Sequence, residues 1–194
     1  MSSTTPYVGQ SYEQDPRWTA ARLLRAERVL EVGTLGGYST IWLASTAPSI
    51  KVTTVEVNSA HAACAREAID AAGLGDRVEI LEGAGVDVLP GLRRQVEEGK
   101  RKPFDFVFID ADKENNLNYL NESIPMARQG ACIIVDNVVR KGSLADEETA
   151  KTDSRVQGAR AVVEGAGKDD RVEGVVMQMV GEKNYDGFLI LSVK

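Results

Sequence analysis

Five short apolar runs, rich in β-branched residues, alternate with helix-like segments through the first 135 residues of the chain. They cover residues 28–32, 51–57, 77–81, 104–109 and 131–135. This alternation indicates a parallel sheet with helices on both faces, because parallel neighbours need a long crossover between them. Two further strand patterns, at residues 172–180 and 188–193, flank a polar connection as in a hairpin. We therefore predict an α/β fold with a mostly parallel seven-stranded sheet and an antiparallel C-terminal hairpin strand.

The segments between these strands fit one domain. The patterns indicate helices at residues 16–26, 39–44, 59–72, 86–98, 114–127 and 155–164, the fourth interrupted at Pro90, and a charged loop at residues 140–153. A chain of 194 residues can bury a sizeable core in one unit. We predict a single domain over residues 1–194, with residues 1–12 fraying at the surface.

Charge and composition exclude several classes of partner. The net charge of −6 argues against the basic surface by which most nucleic-acid-binding proteins hold phosphates. The sequence shows neither a membrane-spanning stretch nor a signal-peptide pattern, so we expect a cytoplasmic protein without nucleic-acid or membrane partners. Cys64 and Cys132 have no CxxC spacing and no clustered histidine, and we expect two reduced, buried thiols.

Two of the apolar runs stop abruptly on oxygen-bearing side chains. Asp110 follows the fourth run, and Asp136 and Asn137 follow the fifth. If these runs are neighbouring parallel strands, the three side chains meet at the carboxyl edge of the sheet, where open α/β sheets bind ligands. Their oxygens suit Mg²⁺, Mn²⁺ or Ca²⁺, and Lys113, one helical turn from Asp110, is placed to help activate a hydroxyl group. The alternative is that the aspartates only form caps or turns and that Lys113 is a surface lysine.

A glycine-rich turn follows the first strand. Gly33, Gly36 and Gly37 let the backbone approach a ligand, and the helix that follows presents free N–H groups. The spacing is not the GxGxxG of dinucleotide-binding proteins, and Glu31 before the turn repels a pyrophosphate but attracts a cationic group. Glu56, at the end of the second strand, is placed to accept both hydroxyls of a ribose. Together these features favour S-adenosylmethionine, and the alternative is a structural turn with Glu56 capping the next helix.

Four segments carry motifs in a specific order. They are EVGTLGGYST at residues 31–40, VEVN at 55–58, FDFVFIDADK at 104–113 and VDNV at 135–138. In this order they resemble the motifs of the cation-dependent class I O-methyltransferases, typified by caffeoyl-CoA and catechol O-methyltransferases. The resemblance extends over residues 23–194. It implies a Rossmann-like class I methyltransferase domain, a divalent cation beside S-adenosylmethionine, and a homodimer.

The resemblance also implies a role for each candidate site residue. Glu56 would bind the ribose of the cofactor, and the backbone at Gly85 would approach its adenine. Asp110 and Lys113 would be catalytic, with Asp110 also bordering the cofactor. The methionine part of the cofactor would be held by Glu31, Gly33, Thr34 and Ser39. The metal ligands would be Asp110, Asp136 and Asn137.

The implied reaction is divalent-metal-assisted methyl transfer from S-adenosylmethionine to a hydroxyl of a catechol-type small molecule, a vicinal dihydroxy aromatic. Two features depart from the family pattern. Residues 1–12 offer little of the longer N-terminal cover that relatives carry, and Gly85 and Val86 stand where alanine and leucine are common. Two other functions stay open. One is an NAD-dependent oxidoreductase, against which the missing GxGxxG and Glu31 both count, and the other is a non-catalytic methyltransferase-like domain that binds a partner protein.

Overall fold

The computed structural model describes residues 16–180 and 185–194. These residues contain seven strands and seven α-helices, which alternate over residues 16–135. The predictions for residues 1–12 and for part of the polar connection after residue 180 therefore lie outside the described residues. The strands are β1 (Arg28–Val32), β2 (Lys51–Glu56), β3 (Val78–Glu82), β4 (Phe104–Ile109), β5 (Ala127–Val135), β6 (Val172–Val180) and β7 (Tyr185–Val193). The helices are α1 (Pro16–Leu23), α2 (Tyr38–Ser45), α3 (Ser59–Ala71), α4 (Gly85–Glu97), α5 (Asn116–Ser123), α6 (Glu147–Thr152) and α7 (Ser154–Ala166).

The strands form one sheet in the order β3-β2-β1-β4-β5-β7-β6. Strands β1 to β5 pair in parallel, and β7 runs antiparallel to both β5 and β6. This arrangement confirms the predicted fold. The chain first builds outwards from β1 to β3 and then returns to place β4 on the other side of β1. That reversal of strand order opens a crevice at the carboxyl ends of β1 and β4, where ligands of such sheets bind.

Helices cover both faces of the sheet. All six residues of the central strand β4 are buried, which is why five of the six are apolar and the sequence does not alternate; the exception is the buried acid Asp105. One face packs against α4, α5 and α7, with Leu89 and Val162 in its core. The other packs against α1, α2 and α3, with Trp18 and Ile69 in its core. Among the described helices, none is both long and apolar enough to cross a membrane.

Four local predictions differ from the structure. The helix predicted at residues 114–127 is mostly α5, followed by a 3₁₀ turn at Ile124–Met126, because Pro125 has no N–H to continue an α-helix. Strand β5 consequently begins at Ala127 and not at residue 131. Helix α4 continues through Pro90 without interruption, since buried Leu89 and Leu92 anchor it on both sides of the proline. The charged loop at residues 140–153 contains α6.

The two cysteines lie in different environments. Cys132 is buried in β5, and burial raises the pKa of its thiol to about 12. Cys64 is exposed on α3, so the prediction of two buried thiols is wrong for this residue. Its helix turns Ala62, Ala65 and Ile69 towards the core instead.

Candidate active site

The ends of β1, β4 and β5 lie side by side at one edge of the sheet. The backbone N–H of Asp110 donates to Val32 O at 2.8 Å, and that of Asp136 donates to Ile109 O at 2.9 Å. The hydrogen-bond ladder thus continues one residue past each strand, into the polar residues. Asp110 and Asp136 leave the sheet on neighbouring strands, as the sequence predicted.

A cavity of about 730 Å³ opens at this edge, a volume in the range of small-molecule sites. It brings together residues from the glycine turn, from the end of β2, from the start of α4 and from the end of β4. The predicted site residues in its wall are Gly33, Thr34, Ser39, Glu56, Gly85 and Asp110.

The glycine turn packs directly on the loop after β4. Gly33 has φ of +101°, and a Cβ built on it would lie 2.2 Å from the carbonyl oxygen of Asp110. No side chain fits that space, and the backbone angle itself favours glycine. The close approach holds the turn against Asp110, so two segments that the sequence separates share one wall of the cavity.

The carboxylate of Glu56 accepts hydrogen bonds from the backbone of the glycine turn. Its Oε2 accepts from the backbone N–H groups of Thr34 (3.2 Å) and Leu35 (2.8 Å), and its Oε1 accepts from Asn58 N at 2.9 Å. Burial raises the pKa of Glu56, but these hydrogen bonds outweigh it, and the pKa lies below its usual value. An ionised carboxylate has about four acceptor sites, so capacity remains for a ligand hydroxyl.

Glu31 lies behind the cavity wall, fully buried in β1. Its Oε2 accepts from the hydroxyls of Thr40 and Thr54, whereas its Oε1 has no hydrogen-bond partner among the described residues. Burial raises the pKa of this carboxyl to about 7, and nearby Asp110 acts in the same direction. A buried carboxylate oxygen without a partner carries an energetic cost that a cationic ligand group would relieve.

Lys113 is bound to Asp110. Its Nζ donates to Asp110 Oδ1 at 2.7 Å, and its side chain is only 11% exposed, against 40% for Asp110. It is therefore not a solvated surface lysine. The turn that carries it packs on α7 at Gly158, where a Cβ would lie 2.1 Å from Lys113 O.

Asp136 and Asn137 lie beside this pair. Burial raises the pKa of Asp136 to about 6, with Asp110 adding to the rise and Arg17 and Lys113 opposing it. Arg17 Nη1 forms an ion pair with Asp136 Oδ2. The amide nitrogen of Asn137 donates to Asp186 Oδ2 at 3.3 Å, which leaves its amide oxygen as the atom that can bind a cation.

The donor set fits a hard divalent cation. Two carboxylates and an amide oxygen from adjacent strand ends are the ligand types that Mg²⁺, Mn²⁺ and Ca²⁺ prefer. Within residues 16–180 and 185–194, histidine, cysteine, aspartate and glutamate form no group of three that could hold a metal ion.

Gly85 lies in the cavity wall beside Tyr119. It begins α4, and a Cβ on it would lie 2.7 Å from Cε1 of Tyr119. The Tyr119 hydroxyl donates to Asp112 Oδ1 at 2.5 Å, and both burial and this carboxylate raise the pKa of the phenol. The side chain of Asp112 makes no capping hydrogen bond and faces Tyr119. Because Gly85 has no Cβ, the ring of Tyr119 can pack against its backbone in the cavity wall.

Sequence reasoning missed several residues of the cavity. His61 lines it with Nδ1 3.5 Å from Glu56 Oε1. Arg17 reaches it from α1, and Phe108 from β4. Arg17 and His61 belong to no local motif, whereas Phe108 lies within the motif at residues 104–113. The only signal for His61 was its position on the helix that follows Glu56.

Comparisons with known proteins agree with this geometry. The family model described as O-methyltransferase matches residues 20–189. The O-methyltransferase imqG of Aspergillus flavus is 49% identical over 168 residues, which is 87% of this chain and 68% of the fungal protein. A catechol O-methyltransferase of Niastella koreensis is 43% identical over 175 residues, 90% of this chain and 76% of the relative.

A solved structure shows the same likeness in three dimensions. The O-methyltransferase from Bacillus cereus, crystallised in complex with SAH, superposes with a TM-score of 0.85 at 41% identity. The match covers 97% of this chain and 84% of the bacterial one. The chain therefore belongs to the O-methyltransferase family, which confirms the resemblance seen in its motifs.

Proposed function

We propose that this chain is an S-adenosylmethionine-dependent O-methyltransferase that methylates a hydroxyl of a vicinal dihydroxy aromatic small molecule with the help of a divalent cation. One observation carries the proposal. Asp110, paired with Lys113 at 2.7 Å, lies in the wall of the same cavity as the glycine turn, in direct backbone contact with Gly33. The pair proposed to activate the hydroxyl, Asp110 and Lys113, thus lies next to the glycine turn proposed to bind the cofactor. The match to a catechol O-methyltransferase supports the aromatic diol as substrate.

The residues present fit S-adenosylmethionine. Gly37, the N-cap of α2, provides no side-chain cap, so the free N–H groups at this helix start can receive the methionine carboxylate. The unpartnered Oε1 of Glu31 offers a negative partner for the α-ammonium group. Thr34 and Ser39 line the wall between them, and Glu56 can accept the ribose hydroxyls. When bound, the cofactor would supply an activated methyl group.

The residues that would hold the divalent cation are Asp110, Asp136 and Asn137. When bound, the cation would stabilise the deprotonated hydroxyl of the substrate as a Lewis acid. The two aspartates supply the negative charge that attracts it. Lys113 Nζ, in its neutral amine form, would accept the hydroxyl proton as general base, and Asp110 would hold the ammonium that results. Trp18 and Phe108, packed edge to face at 5.8 Å, form an apolar wall suited to an aromatic substrate.

Chelation tests the proposed role of the cation. We expect the purified chain to transfer a labelled methyl group from S-adenosylmethionine to members of a panel of vicinal diols, and EDTA to abolish the transfer. Re-addition of Mg²⁺ should restore it. Monohydroxy analogues of the same diols are the control and should react much more slowly, because they offer one oxygen to the cation.

Two results would contradict the proposal. Transfer that survives EDTA would remove the cation from the mechanism, and no product from any diol would favour the non-catalytic domain. The oxidoreductase reading predicts that NAD binds in place of S-adenosylmethionine.

The homodimer implied by the resemblance stays a prediction, and light scattering on the purified chain checks it.

The pKa of Glu31 predicts a pH dependence of cofactor binding. Its ordinary value is 4.5 and its folded value about 7, so the protonated form is favoured in the empty protein. This group therefore stabilises the empty fold fully below pH 4.5 and loses that contribution as pH rises through about 7. Ionised Glu31 attracts the α-ammonium group, so affinity for S-adenosylhomocysteine should rise between about pH 5.5 and 7.5, measured by calorimetry.

Glu31→Gln should weaken binding and flatten this pH dependence, since glutamine mimics the protonated acid at every pH. The exposed carboxylate of Glu82, at the end of β3, provides the control. Glu82→Gln should keep the wild-type profile. A profile that is equally steep in Glu31→Gln would show that another group controls binding.

A further inference from the structure

Both carboxylates assigned to the cation already carry a positive partner from the chain itself. Lys113 Nζ lies 2.7 Å from Asp110 Oδ1, and Arg17 Nη1 is paired with Asp136 Oδ2. Asp136 is only 7% exposed, so its charge is largely removed from water. Lys113 is three residues from its partner, whereas Arg17 comes from α1, 119 positions away.

Arg17 is held by more than this ion pair. Its guanidinium carbon lies 5.3 Å from the ring centroid of Trp18 and 5.7 Å from that of Phe108. Both distances are within the range of a cation–π contact. The side chain is 25% exposed and forms part of the cavity wall. A solvated surface ion pair contributes little, but a guanidinium between a buried carboxylate and two aromatic rings is a defined contact.

We propose that Arg17 is the resident counter-ion of Asp136 and competes with the divalent cation for this carboxylate. The inference rests on the proposed function, because it takes Asp136 as a ligand of that cation. A guanidinium and a dication repel each other when they share one carboxylate. Binding of one must therefore weaken binding of the other, by the same factor in both directions. Arg17 thereby sets the cation concentration at which the site fills.

The contact also links the cation to the wall of the cavity. Arg17 and Trp18 are adjacent in α1, and the Trp18 ring packs edge to face on Phe108 at 5.8 Å. Release of Arg17 from Asp136 removes the guanidinium from the face of Trp18. The emission of Trp18 therefore reports whether Arg17 has left, independently of any turnover.

Direct titration of the full chain with Mn²⁺ tests the competition. Arg17→Gln should bind Mn²⁺ about tenfold more tightly than the wild type, a typical size for coupling between two ligands. Arg17→Lys keeps a charge and should stay nearer to the wild-type affinity. Arg22→Gln removes the same charge from an exposed position on the same helix and should leave the affinity unchanged. Electron paramagnetic resonance of free Mn²⁺ gives the affinities.

A Mg²⁺ titration followed by tryptophan emission gives the second readout. Trp42→Phe leaves Trp18 as the only tryptophan in the chain. In this background Mg²⁺ should change the emission, and the change should be absent when Arg17→Gln is added. An emission change of the same size in both proteins would show that Arg17 does not move away from Trp18 on cation binding, and would overturn the link.

The outcomes separate this inference from the proposed function. Equal Mn²⁺ affinity in the wild type, Arg17→Gln and Arg22→Gln would overturn the competition while leaving the cation site intact. Weaker binding by Arg17→Gln would also overturn it, because Arg17 would then be orienting Asp136 for the cation. No Mn²⁺ binding by any of the proteins, the wild type included, would remove the cation from the proposed function and the inference with it.

Discussion

Replacement of Lys113 by alanine is expected to lower the turnover number of methyl transfer by about 10²- to 10⁴-fold, the usual contribution of a positioned general base. The side chain is 11% exposed and donates to Asp110 at 2.7 Å, so it is held beside the carboxylate and not solvated. It does not line the part of the cavity assigned to the cofactor. Affinity for S-adenosylhomocysteine should therefore change little, and calorimetry together with single-turnover transfer of labelled methyl separates the two quantities.

Lys168→Ala is the control for this experiment, because it removes the same atoms from an exposed lysine in the turn after α7. It should leave both quantities at the wild-type level. An unchanged turnover number in Lys113→Ala would remove this residue from the mechanism. A parallel loss of cofactor affinity would instead indicate that Lys113 supports the structure of the site.

Gly33→Ala is expected to destabilise the fold by about 3 kcal/mol or more, because the new Cβ meets backbone and no flexible side chain. The Cβ would lie 2.2 Å from Asp110 O, at a φ of +101° that disfavours alanine as well. Relief of the clash must separate the glycine turn from the loop after β4. Thermal unfolding should shift down by about 10 °C, and S-adenosylhomocysteine binding should be lost or strongly weakened.

Gly36→Ala is the matched control in the same turn. A Cβ at Gly36 meets nothing within 4 Å, and its φ lies outside the left-handed region. This substitution should leave the unfolding temperature close to that of the wild type, so the unfolding temperature is the quantity compared between the two variants. Similar losses in the two variants would show that the turn tolerates no side chain anywhere, and that the approach to Asp110 is not the cause.

The bounds of several strands could be predicted from the sequence alone. The predicted residues 28–32, 104–109 and 172–180 coincide with β1, β4 and β6. For β1 and β4 the reason is that buried parallel strands are mostly apolar runs between polar turns, although each of these two strands carries one buried acid, Glu31 or Asp105. The start of β5 was not predictable, because residues 128–130 are polar and their inclusion depends on pairing between Phe104 and Ala127.

In the candidate site, too, some features could be predicted from the sequence and others could not. Local motifs sufficed to propose Asp110, Asp136 and Glu56, because each ends an apolar strand and parallel strands end at one edge of a sheet. The sequence also determined the family, through four motifs in order. The partners of these residues depend on contacts between segments that are far apart along the chain.

Only the tertiary structure decided those partners. Arg17 and Asp136 are 119 positions apart and form an ion pair. The turn that carries Lys113 packs closely on α7 because Gly158 has no Cβ. Neither contact leaves a local pattern, since a lone arginine or glycine in a helix has many uses. Periodicity and strand ends encode which residues face the core or the sheet edge. Side-chain pairing across the cavity is decided by packing, where distances of a few ångströms between distant segments determine which charges meet.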